Sequence, residues 1–69
     1  MTIGEALRLI QHNRMLTEEE MIKGTIRKST YSKVIHGKQN LSSSLLIKIL
    51  LKNDIDIDYF ISLIKRKGL

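Results

Sequence analysis

Lys28, Ser29, Thr30 and Lys33 fall within one short polar and basic stretch, RKSTYSKVIHG, which begins at Arg27. Side chains of these types read base edges. A lysine ammonium bonds guanine O6 and N7, and a threonine methyl touches the thymine methyl. Lys33 suits the first contact and Thr30 the second. Around them stand groups that hold phosphate oxygens: Arg14, Thr17, Arg27, Ser32, His36, Lys38, Gln39, Asn40 and the amides that follow Ser42. From Lys23 to Asn40 the chain carries five lysines or arginines and no acid. The bland alternative is a solvated basic face on an ordinary basic protein. Charge alone does not separate the two, and the clustering is what favours a polyanion.

Other chemistries find little to work with. His12 and His36 are far apart in sequence, and there is no cysteine, so thiolate metal sites and disulfides are excluded. Asp54, Asp56 and Asp58 alternate as in some calcium loops, but the glycine and distal glutamate of an EF-hand are missing. No glycine-rich phosphate loop occurs, and helix caps explain many of the serines and threonines. No enzyme activity, metal or cofactor is expected.

The basic stretch needs elements to hold it. Thr17 and Glu20 have the spacing of a capping box, with Leu16 and Met21 placed as its hydrophobic staple. A helix from about Glu18 to Lys23 should therefore end at Gly24, where a left-handed turn costs little. A second helix follows from Lys28 to His36, with Tyr31, Val34 and Ile35 on its inner side and Gly37 as its stop. Thr2 and Glu5 repeat the capping-box spacing, which predicts a helix from Ile3 to Asn13 with Ile3, Ala6, Leu7 and Ile10 as its core stripe. Gln11 and Arg14, near its end, are placed to face a partner, although Arg14 also complements the helix dipole.

Ser42 is the best cap for a helix running to about Lys52, with Leu41 as its staple. Leu45 to Leu51 is apolar nearly all round. That segment is expected either to be the central core helix or to bury a second face against something outside this chain. Asp56 should cap a last helix with Ile55 and Phe60 as staple and Ile57, Phe60, Ile61 and Ile64 as core stripe. Lys65, Arg66 and Lys67 fall in its last turn, with Gly68 beyond. The expectation is an all-α chain of five short helices, a single domain over residues 1–69. The formal charge of +5 agrees with a polyanionic partner. No secretory signal is visible, and the longest apolar run is three residues, so no membrane span is expected.

The run MIKGTIRKSTYSKVIHG, preceded by GEALRLI and LTEEE and followed by IDIDYF, resembles the N-terminal domain of the Rgg/MutR-type transcriptional regulators of Gram-positive bacteria. These belong to the broader lambda-repressor-like (XRE-type) helix-turn-helix group. The resemblance covers Gly4 to Phe60. It implies a compact five-helix lambda-repressor-like fold with a helix-turn-helix at helices 2 and 3. It also implies sequence-specific binding of double-stranded DNA, with a recognition helix over about 28–36 in the major groove, and a cytoplasmic, nucleoid-associated location. Three positions depart from the family pattern. Ile35 stands where the family has a bracing glutamate, and Gln11 replaces a basic residue. Arg27 stands where a serine would cap the recognition helix, leaving Thr25 or Ser29 to do so.

Full-length members carry a further helical-repeat domain that binds signalling peptides in quorum sensing and makes the homodimer. No such segment is present, so the chain is expected to be an excised domain or a stand-alone relative. Alternatives are a phage-type repressor or antitoxin, and a helical protein-interaction module that has lost DNA binding. Glu18, at the start of the second helix, would repel a phosphate there and favours the last of these. Ile47, Leu51 and Leu63 are expected to form a residual self-association patch on a largely monomeric chain.

Overall fold

The computed structural model describes residues 1–66. Thr2 and Thr17 each open a helix in the same manner. Their hydroxyls accept from the amides of Glu5 and Glu20 at 3.1 and 3.0 Å. The two carboxylates return to accept from the threonine amides at 2.7 and 2.8 Å. These boxes start α1 (Ile3–Asn13) and α2 (Glu18–Ile22). α3 (Lys28–Ile35), α4 (Ser43–Lys52) and α5 (Ile57–Lys65) follow. Ser42 accepts from the Leu45 amide at 3.4 Å and Asp56 from the Asp58 amide at 3.0 Å. The fold is all-α, with five helices and no strand among the described residues.

Three helices end alike. Met15, Gly37 and Asp54 turn left-handed, at φ 57°, 74° and 52°. The next amide in each case reaches back six residues inclusive: Leu16 to the Gln11 carbonyl, Lys38 to Lys33, and Ile55 to Leu50, at 2.8–3.0 Å. This Schellman arrangement closes α1, α3 and α4. The helix α2 ends at Ile22 rather than Lys23. Lys23 (φ −51°, ψ 124°) and Gly24 (φ 79°) form a type II turn, closed by the Thr25 amide on the Ile22 carbonyl at 2.8 Å. His36 is the cap of α3 rather than its last helical residue.

The chain closes around one core. α1 packs against α3 and α5, and α2 packs against α3. Ala6, Leu7 and Ile10 meet Met21, Ile22, Tyr31, Val34, Ile35, Ile49, Leu50, Ile55, Phe60 and Leu63 in a single buried cluster. The radius of gyration is 11.0 Å, matching the roughly 11 Å of a packed chain this long. No described helix is long and apolar enough to cross a membrane.

Three expectations about faces need correction. Ile3 is exposed, and buried Gly4 takes its place against α3. A Cβ at Gly4 would stand 2.1 Å from the Val34 carbonyl oxygen, so α1 and α3 meet backbone to backbone there. On α5 the buried residues are Phe60 and Leu63, with Ile64 half-buried, whereas Ile57 and Ile61 are exposed. The stripe is therefore rotated from the expected one, and Leu63 belongs to no surface patch. Lastly, α4 is not the central helix. It buries Ile49 and Leu50, half-buries Leu45 and Leu46, and leaves Ile47 and Leu51 outside. A domain this small gives each helix one face to bury, so surplus apolar residues remain at the surface. Arg66 caps α5, and its carbonyl accepts from the Met1 ammonium at 2.7 Å. Lys67 and Gly68 lie outside the described residues.

Candidate nucleic-acid interface

Burying Tyr31, Val34 and Ile35 turns the opposite side of α3 outward. On that side lie Lys28, Ser29, Ser32, Lys33 and His36, spaced i, i+1, i+4, i+5 and i+8 along one helical face. Lys28, Ser29, Lys33 and His36 are exposed, while Thr30 and Ser32 are half-buried. Arg27 and Lys38 are exposed at the two ends of the helix. Lys28, Lys33 and His36 thus share one face of α3, with Arg27 and Lys38 at its two ends and no acid between them along the chain.

Tyr31 fixes how this face is held. Its side chain is fully buried, and its hydroxyl donates to Gln11 Oε1 of α1 at 2.8 Å. Desolvation, and secondarily the charge of Glu18, push the phenol up to about 12, so it stays a donor at neutral pH. One sequence reading changes accordingly. Gln11 is tied to the core tyrosine rather than turned to a partner. Glu18 is half-buried, and its charge adds to the upward push on the phenol.

The start of α3 is unlike the other four helix starts. Arg27 is its N-cap, and no side chain accepts from its first amides. Neither Thr25 nor Ser29 serves as the expected cap. The Thr25 hydroxyl instead donates to the Ile22 carbonyl at 2.6 Å, closing α2. No acid occupies the first turn of α3 or α4, whereas α1, α2 and α5 each carry one or more. Of these two acid-free starts, that of α4 is the one whose amides the sequence assigns to phosphate. Free helix amides with the positive end of the dipole favour an anion.

The remaining phosphate candidates are dispersed. Arg14 donates through Nη1 to the Asn53 carbonyl at the end of α4. Thr17 has both its amide and its hydroxyl oxygen engaged in the α2 capping box. His36 Nδ1 donates to the Ser32 carbonyl at 2.7 Å, which leaves Nε2 as the outward ring nitrogen. Gln39 and Asn40 are exposed and line a cleft of about 180 Å³ with Thr2, Ile3, Gly4, Val34 and Gly37. Ser42 is exposed at its cap and lies within 3.4 Å of Ser44 Oγ. Among the described residues no group of three or more His, Cys, Asp or Glu is placed to hold a metal ion.

One residue at this surface escaped the sequence reading. Glu19 Oε1 lies 3.3 Å from Lys28 Nζ, bridging the first turns of α2 and α3. The available signal was a sorting of three consecutive acids. Glu20 has the capping-box position and Glu18 precedes it, which leaves Glu19 without a local duty. Searches of family models, curated proteins and solved structures give no match for this chain.

Proposed function

We propose that the chain binds duplex DNA as the helix-turn-helix domain of a bacterial transcription regulator, with α3 lying in the major groove. The observation that carries this reading is the outward face of α3. It is basic and exposed, backed by the buried Tyr31 that bonds to Gln11, and begins at an uncapped, acid-free helix start. Lys33 and Lys28 are the primary base-reading candidates, with Ser29 beside them and Thr30 partly covered. Arg27, Lys38 and the amides opening α3 and α4 supply phosphate contacts; these fix register without reading sequence. Regulation follows from occupancy of the site. The resemblance to Rgg/MutR-type regulators adds that a homodimer would present two such faces, and that any signalling peptide would act through a domain outside these residues.

The test compares two lysines. Lys33→Ala should weaken binding to a selected site by about 1–3 kcal/mol and blur preference at one base position. Lys38→Ala should weaken all duplexes alike. Unchanged affinity and preference in Lys33→Ala would remove α3 from the groove. A second reading, a protein-interaction module, draws on Glu18, Glu19 and Glu20 in the first turn of α2 and on exposed Ile47 and Leu51. A gel-shift with random duplex at low salt separates the two, since the module gives no shift.

A further inference from the structure

The three acids of α2 are divided among three tasks. Glu20 caps the helix through Thr17, and the charge of Glu18 bears on the Tyr31 phenol. Glu19 pairs with Lys28 at 3.3 Å in the one ion pair among the described residues. Both partners are largely exposed, at 61% for the Lys28 side chain and 76% for Glu19. A pair this open adds little to stability. Its position is informative, because Lys28 is the first residue of α3 and shares the outward face with Ser29 and Lys33.

Resting on the DNA reading above, we infer that Glu19 and Lys28 act as one reading unit that selects a G·C base pair. The ammonium and the carboxylate present a donor and an acceptor 3.3 Å apart. In the major groove a G·C pair presents guanine O6 as acceptor and cytosine N4 as donor, roughly 2.9 Å apart because they bond each other. Lys28 donates to O6 while Glu19 accepts from N4, and the ion pair between them closes the ring. The flanking groups give the preference. Guanine N7, a second acceptor, lies on the lysine side, and only the cytosine C5 edge lies beside the carboxylate. An A·T pair also offers an adjacent donor and acceptor, N6 and O4. There, adenine N7 lies beside the carboxylate, and its lone pair repels it, while the lysine meets the thymine methyl.

The experiment is duplex selection from a randomised pool with the full chain, followed by affinities for single-position variants of the selected site. The wild type should prefer G·C at one position by about tenfold, within the range of one well-made base contact. Glu19→Gln should bind random duplex at least as well as the wild type, having lost a negative charge. Its preference at that position should fall below about threefold or move to A·T, because a glutamine amide matches adenine N6 and N7. Lys28→Gln should lose preference at the same position. The inference is overturned if Glu19→Gln tightens every duplex by one factor and leaves preferences intact, or if the two variants alter different positions. A wild type that binds no duplex sinks the DNA reading together with this inference. A wild type that binds with salt dependence but without a preferred G·C position sinks the inference alone.

Discussion

Replacing Gly4 with alanine tests how α3 is seated. The added Cβ would stand 2.1 Å from the Val34 carbonyl oxygen and 2.8 Å from Ile35 Cα. Both neighbours are backbone, so no side chain can swing away. Restoring ordinary contact requires moving the start of α1 from the end of α3 by about 1 Å, and a gap of that size forfeits a quarter to a half of each dispersion contact. The face affected includes Ala6 and Leu7 against Val34 and Ile35, all buried. Overpacking of this type costs about 1–3 kcal/mol. Alanine returns about 0.8–1 kcal/mol through its helix preference. Because the clashing atoms are backbone, the overpacking cost falls in the upper half of its range, about 2–3 kcal/mol, and the expected net loss is about 1–2 kcal/mol. With a urea m value near 1 kcal/mol/M for so small a chain, the midpoint should fall by about 1–2 M at unchanged slope. Gly4→Ala as stable as the wild type, or more so, would refute the close approach of α1 to α3.

Met15→Gly should act in the opposite direction. Met15 is left-handed at φ 57° and 90% exposed, so glycine relieves about 1–2 kcal/mol of backbone cost and returns part of it as entropy. Thermal melting should rise by a few degrees, and a lower melting temperature would show that the methionine is held by contacts. Acid should weaken the helix starts. Bonds from Thr2 and Thr17, their backbone amides first, hold the Glu5 and Glu20 carboxyls below the usual 4.5. Stability from these groups is present above about pH 4.5 and is lost as pH falls through their lower folded values. Glu5→Gln with Glu20→Gln should flatten that part of a pH–stability profile; an unaltered acid limb would mean that the boxes do not form in solution.

Much of the fold was legible because its signals are local. Thr2–Glu5 and Thr17–Glu20 state their own geometry within four residues, and Gly24 and Gly37 stand at left-handed turns. Two other left-handed corners were harder, because Met15 and Asp54 occupy positions where glycine would have announced them. The faces of α4 and α5 were misread for a different reason. Isoleucine and leucine run nearly all round α4, and on α5 the apolar stripe is wider than the face a small core covers, so tertiary packing decides which residues go in. Packing buried Leu63 and exposed Ile57 and Ile61. At the candidate interface the residue types on α3 could be read, since its amphipathic pattern is clear. For the Glu19–Lys28 pair the sequence offered only a glutamate without a local duty, because the pairing itself depends on how two helices cross.

The most direct test of DNA binding is the affinity of the chain for a fluorescent random duplex, measured by anisotropy between about 50 and 200 mM salt. Arg27, Lys38 and the amides opening α3 and α4 together allow about four phosphate contacts, so log K against log [salt] should fall with a slope of about −4. A flat dependence, or no binding at the lowest salt, would contradict the reading of α3 as a DNA-facing helix.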